Sequence, residues 1–165
     1  MIRSFNGKTP KIAESAFVSE AAYVIGDVEI GEHSSVWPGA VIRTESASIK
    51  IGTNTAIEDN CVIHGGITIG DNVTIGHGAI IQCRRIGNNI LIGMNATVLH
   101  GAEIGSFCVI GAGCLVSQGM KIPDNSFVVG VPAKIKGPVS SERRQEQQGS
   151  QHYVELAKQY KEQGL

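Results

Sequence analysis

Aliphatic residues recur along this chain at six-residue steps. They run through Val18, Val24, Ile30, Val36 and Ile42, then Ile51, Ile57, Ile63, Ile69, Ile75 and Ile81, then Ile86, Ile92, Val98, Ile104, Ile110, Val116, Ile122 and Val128. Nine Ile-Gly pairs punctuate the same stretch. A step of six is neither the helical period nor the strand alternation. Sustained over this length it marks a solenoid, in which each repeat is one short strand and a turn, and the core is a stack of aliphatic layers. Six-residue steps favour a triangular coil of three strands, about eighteen residues per coil, with coils roughly 4.8 Å apart. Gly, Asn and Asp crowd the positions between the aliphatics, where tight or left-handed turns need them. The frame has two irregularities: three extra residues between Ile42 and Ile51, and one missing between Ile81 and Ile86. Each predicts a bulged or extended turn.

The repeat fades after Gly130-Val131-Pro132-Ala133-Lys134, and from Ser140 the composition turns to Glu, Gln, Arg and Lys. Tyr153, Leu156, Ala157 and Tyr160 then recur at helical spacing. The expectation is an all-β domain over residues 1–139 and a helical segment over 140–165 that packs its apolar stripe on the solenoid. Its main helix is expected from about Ser150 to Gln163, with Gly149 breaking it from a first helical turn near Ser141 to Gln147. A solenoid end is an open sheet edge, and the segment up to Val18 is expected to cap it.

Hydrophobic residues make up 42% of the 165, enough for one buried core, yet aromatics only 5%. The core is therefore aliphatic. The formal charge is -1 and Lys and Arg form no long basic run, which argues against nucleic acid or an anionic membrane and leaves a small-molecule substrate as the expected partner. No apolar run suits a signal peptide or a membrane span, so a cytoplasmic location is expected. Cys61, Cys108 and Cys114 share the register of small core residues, Cys83 lies off it, and no CxxC pair exists. All four read as packing residues.

The repeat serves as a ruler for the polar residues. Arg43, His64 and Gln82 each follow a repeat aliphatic by one place and form a column in successive coils, allowing for the insertion. His64 and Gln82, eighteen apart, should project side by side at a distance one metal ion could bridge. Asp59 and His77, also eighteen apart, form a second column on the preceding face. A metal at His64 is then out of reach of His77 in the same chain. Three copies packed face to adjacent face about a threefold axis would bring the two columns together. Arg43 needs a carboxylate, from Asp59 of the neighbour or from Glu45 of its own chain, and Glu58 lies close by. Scattered His33, His100 and His152 read as solvated. An interface ion-pair network without metal is the competing reading of the seam.

Ser35-Val36-Trp37-Pro38-Gly39-Ala40-Val41-Ile42-Arg43, Ile57-Glu58-Asp59-Asn60-Cys61-Val62-Ile63-His64, Ile75-Gly76-His77-Gly78, Ile92-Gly93-Met94-Asn95-Ala96 and Val129-Gly130-Val131-Pro132-Ala133-Lys134 occur in this order. With them the chain resembles the gamma-class carbonic anhydrase family over nearly its whole length. The resemblance implies a left-handed parallel β-helix, a homotrimer, and a divalent metal of the zinc type at each subunit interface, held by two His of one subunit and one of its neighbour. Carried over by motif, His64 is one ligand, His77 the ligand given across the interface, and Arg43 with Asp59 the ion pair joining subunits. The implied activity is reversible hydration of carbon dioxide by metal-activated water, with Glu58 positioning the attacking oxygen or moving the proton.

Three places depart from the family pattern. Gln82 stands where the third His ligand is usual, Arg43-Thr44-Glu45 replaces Arg-Gly-Asp, and Glu58 replaces Gln. An amide oxygen is a neutral, weak ligand, so metal affinity should fall and the chemistry of the bound water change. Zinc, iron, cobalt or nickel, or no metal at all, are the resulting alternatives. Carboxylate Glu58 could compensate by joining the site. Weak or lost hydratase activity is expected. Hexapeptide acyltransferases and thioesterases acting on acyl-CoA share the scaffold and need only an accessible base such as His77 or His64. A non-catalytic trimeric scaffold is the further alternative.

Overall fold

The computed structural model describes residues 1–146 and 149–165, and in it the chain winds into a triangular β-solenoid of three sheets. Every third strand joins the same sheet. The first sheet runs from Ile2–Arg3 through Tyr23–Ile25, Val41–Arg43, Val62–His64, Ile80–Ile81 and Thr97–Val98 to Leu115–Val116. The second runs from Lys11–Ile12 to Lys121–Ile122, and the third from Phe17–Val18 to Ser126–Val129. All of these strands pair in parallel. Lys134–Pro138 alone adds in the antiparallel sense, on the end of the third sheet.

The six-residue frame is the inside of the triangle. Val24, Ile42, Ile63, Ile81, Val98 and Val116 stand in register up the first sheet, and every one is fully buried. One apolar side chain per strand is enough because each coil lies on the next, so only the outward half of each layer needs other cover. Asn54, Asn60, Asn72, Asn89, Asn95 and Asn125 hold left-handed turn conformations at the corners, which Asn tolerates better than other side chains.

Both frame irregularities sit at corners, as their spacing predicts. The three added residues make the turn between Val41–Arg43 and Ile49–Ile51. Buried Thr44 closes it: its hydroxyl donates to the Ala47 carbonyl (3.0 Å) and accepts from the Ala47 amide (3.3 Å). The turn rests on Gly26, whose φ is +93° and where a Cβ would meet the Thr44 carbonyl oxygen at 2.1 Å. The missing residue before Ile86 brings Cys83 into the core while Arg84 points out. The segment up to Val18 differs from the expected cap. It is a further coil, its three strands pairing with Tyr23–Ile25, Val28–Ile30 and Ser35–Val36. An edge coil pairs on one side only, so it tolerates the long step from Ile2 to Ile12, while Ile12 and Val18 keep the six-residue frame.

The outward faces differ in chemistry. The second sheet presents Lys11, Glu29, Lys50, Thr68, Arg85, Glu103 and Lys121 in a column, with Glu29 between Lys11 (3.6 Å) and Lys50 (3.9 Å). The third sheet is covered by the C-terminal segment. Its helices are α1, Ser141–Glu146, and α2, Gly149–Glu162, so Gly149 opens the second helix; Gln147, the expected end of the first turn, lies outside the described residues. Tyr153, Leu156, Ala157 and Tyr160 of α2 pack on Phe17 and Trp37. The Trp37 ring meets Tyr153 and Tyr160 edge-on at 5.6 and 5.1 Å between centroids, a favoured aromatic geometry. The first sheet turns outward Tyr23, Val41, Val62, Ile80, Thr97 and Leu115. Ile80 there is 48% exposed. Among the described residues no helix is long and apolar enough to cross a membrane.

Trp37 joins the helix to the solenoid, and its indole also donates to Ser35 Oγ at 2.9 Å. Trp37→Ala should cost about 3–5 kcal/mol and release α2. Urea denaturation followed by far-UV circular dichroism measures both; a loss under about 1 kcal/mol would mean the helix docks through other contacts.

Candidate functional site

Strand pairing makes the first polar column real. Arg43 and His64 are register partners on adjacent strands, and Gln82 follows in the next coil. Gln82 Nε2 lies 3.3 Å from His64 Nδ1. The other ring nitrogen of His64 faces Glu45: Nε2 to Oε2 is 3.2 Å. Glu45 also pairs with the Arg43 guanidinium. It reaches both because the added turn carries it out beside the column. Desolvation opposes the charged carboxylate, but the hydrogen bonds from His64 and Arg43 and their charges prevail and hold Glu45 below the ordinary carboxylate range.

The second group forms at the corner where the chain passes from the third sheet to the first. His77 Nδ1 lies 3.0 Å from Asp59 Oδ2, and His77 Nε2 lies 3.1 Å from Glu58 Oε2. The same Glu58 oxygen accepts the His77 backbone N–H at 2.9 Å. The Glu58 side chain is only 7% exposed, and Tyr153 of α2 lines the same cleft. Burial, then the neighbouring Glu58 carboxylate, push the Tyr153 phenol well above its ordinary value. A cleft of about 400 Å³ opens here, with Glu58, His77, Tyr153 and Arg143 around a floor that includes Leu91, Met94 and Val109.

Arg43, Glu45, His64 and Gln82 are thus together, and so are Glu58, Asp59 and His77, but the groups are apart. The second column lies on a corner rather than on a separate face, and the strand Val62–His64 runs between the two. Among the described residues, no group of three or more His, Cys, Asp or Glu is placed to hold a metal within one chain. Within the chain Arg43 has Glu45 as its carboxylate, and Asp59 serves His77.

Two residues belong here that sequence reasoning passed over. Tyr153 reads as part of the helical apolar stripe, and nothing in its spacing points to a buried carboxylate. His100, read as solvated because the missing residue before Ile86 shifts it out of the Gln82 column, is exposed but borders a cavity of about 370 Å³ with His64, Gln82 and Arg84. All four cysteines are buried. Burial pushes the thiols of Cys61 and Cys83 up to about 12, so neither is a nucleophile near neutral pH.

The family model for the bacterial transferase hexapeptide, six repeats, matches residues 48–83 and 85–118. Over 98% of its length the chain is 40% identical to a carbonic anhydrase of Geobacillus kaustophilus, covering 91% of that protein. The chain belongs to the gamma carbonic anhydrase family. It is also 36% identical to the mitochondrial gamma carbonic anhydrase 2 of Arabidopsis thaliana over 91% of its length, yet spans only 58% of that longer relative. Among solved structures, a Bacillus cereus protein whose suggested activity is acetyl transfer superposes with a TM-score of 0.93 at 40% identity, covering 98% of this chain and 96% of that one.

Tyr153 gives a pH test of its contact with Glu58. Its phenol titrates higher in the folded than in the unfolded chain, so its contribution to stability is complete below the ordinary tyrosine pKa, about 10, and is lost as pH rises beyond it. Stability of this member of the family should therefore fall on alkaline titration, and Glu58→Gln should lower the Tyr153 pKa while leaving it above the ordinary value. Ultraviolet tyrosinate absorbance, with Tyr153→Phe to assign the transition, checks this; an unmoved transition in Glu58→Gln would remove the contact.

Proposed function

We propose that the protein is a homotrimer that holds a divalent metal at each subunit interface and hydrates carbon dioxide weakly, because Gln82 occupies a ligand position usually held by His. Zinc is the first candidate metal, with iron, cobalt and nickel behind it. The observation that carries this reading is the place of His64 and Gln82: they stand, with Arg43, at the margin of the first sheet, whose outward column is largely apolar and not covered by a described helix. Beside their column runs that of Tyr23, Val41, Val62, Ile80, Thr97 and Leu115, apolar but for Thr97. An uncovered apolar sheet face is satisfied by a second copy. A threefold arrangement of first sheets sets the corner of one subunit, with His77, against the Arg43–His64–Gln82 column of the next.

The donors suit a divalent ion. His64 Nδ1 and Gln82 Nε2 are 3.3 Å apart, close to the roughly 3.3 Å edge of a tetrahedron whose bonds are about 2.0–2.1 Å long. Turning the amide over puts its oxygen, the donor a metal needs, in the same place. The neighbour's imidazole at position 77 completes a set of two imidazoles and one amide. When bound, the metal supplies Lewis-acid activation of water. Glu58, held by the His77 amide, orients that imidazole and is the buried carboxylate placed to receive the proton released on hydration. Asp59 is more exposed and can turn to the neighbour's Arg43. Gln82 weakens the site because a neutral amide oxygen donates less than an imidazole.

The likeness to the Bacillus cereus structure favours a second reading, acyl transfer or thioester hydrolysis on acyl-CoA, in which an imidazole of the same interface is the base. One substitution separates the two. Gln82→His, reconstituted with zinc, should raise bound metal toward one ion per subunit and carbon dioxide hydration by at least about tenfold. Metal analysis and stopped-flow hydration measure this. No gain in either, together with turnover of acetyl-CoA by the native protein, would overturn the metal reading in favour of the acyl one; no gain and no turnover would leave a trimeric scaffold.

A further inference from the structure

Each imidazole of the seam is bracketed on both ring nitrogens, and at His64 the two brackets differ in kind. Gln82 stands at Nδ1, and Glu45 stands at Nε2. A metal can take only one of these nitrogens, and Gln82 converges on Nδ1. We propose that Glu45 is the positioning residue of His64: its carboxylate accepts the Nε2–H and so fixes the tautomer that aims the Nδ1 lone pair at Gln82. This deepens the metal reading above and rests on it.

Geometry supports the assignment from several directions. Neutral imidazole carries one N–H, so an acceptor held at Nε2 leaves Nδ1 as the unprotonated nitrogen. Carboxylates in this relation to metal-bound imidazoles set ring orientation and raise ligand basicity. Glu45 is itself fixed, since Arg43 takes its other oxygen and Thr44, beside it, is buried and closes the turn through two hydrogen bonds to Ala47. The three residues that interrupt the repeat between Ile42 and Ile51 therefore have a use: they carry a carboxylate out of the strand and back over the column. With Gln82 a poor donor, the basicity of His64 matters more to holding an ion than it would among three imidazoles.

Two measurements on the full-length protein test it. In the metal-free protein, long-range proton–nitrogen correlation of the His64 ring, at a pH where the ring is neutral, should show the Nε2–H tautomer. Glu45→Ala should lose that preference, whereas Glu45→Gln, whose amide oxygen still accepts the N–H, should keep it. Titrated with zinc, Glu45→Ala should bind about 10–100-fold more weakly than the native protein and Glu45→Gln should fall between. Sedimentation of each variant verifies the assembly. A native Nδ1–H tautomer, or Glu45→Ala that keeps both the native tautomer and the native zinc affinity, would overturn the proposal and leave the metal reading standing. Failure of both native protein and Gln82→His to bind zinc would instead overturn the metal reading, and with it the role given to Glu45.

Discussion

The backbone ladder between coils is the constraint from which the rest of the molecule follows. Each strand pairs with the strand one coil before and one coil after, so side chains about eighteen places apart become neighbours whatever their chemistry. Ile63 lies on Ile42 and under Ile81. Asn72 lies between Asn54 and Asn89 and hydrogen-bonds both. His64 meets Gln82, and Asp59 meets His77, by the same rule. The seam is thus positioned by main-chain hydrogen bonds and an interior of aliphatic side chains and small cysteines, which leaves the surface residues free to carry chemistry without holding the fold.

A triangular prism has three outer walls, and this one finishes each differently. Charged side chains of both signs make the second sheet a solvated wall. An amphipathic helix and an aromatic cluster seal the third. The first is left largely apolar, and the polar groups with chemical potential gather along its margins: Arg43, Glu45, His64 and Gln82 on one, Glu58, Asp59 and His77 on the other. Tyr153 ties the sealed wall to the open one, since its ring packs on Trp37 and lines the same cleft as Glu58 and His77. Docking of the C-terminal helix and the setting of His77 are therefore physically connected, although more than seventy residues of chain lie between them.

How much of this could be read from the sequence depended on where the period held. His64 over Gln82 and Asp59 over His77 were legible because each pair keeps a constant offset from an inward isoleucine. Cys83 was legible as off register, and the missing residue explains why it is nevertheless buried. Glu45 was legible as a partner for Arg43 but not for His64, because it sits in the insertion, where the ruler has no marks. The first coil was hidden for a similar reason: Ile12 keeps the six-residue step before Val18, but Ile2 lies ten residues before Ile12 and falls off it. Tyr153 on Glu58 was out of reach because helical spacing tells which side of α2 is apolar and not which wall of the solenoid it will cover. Period encodes stacking; it does not encode which surfaces meet.

The reversed final strand determines something about size. Parallel coils invite another coil, since each leaves a row of unpaired amides and carbonyls at its edge, the same template on which fibrils lengthen. Lys134–Pro138 closes the third sheet running the other way, so the wall that ends there offers the wrong polarity for another turn of the same winding. The segment then departs into α1 and α2, which fold back along the prism and leave its end behind. A repeat that could in principle continue without limit is thereby given a definite length by a change in the direction of one five-residue strand.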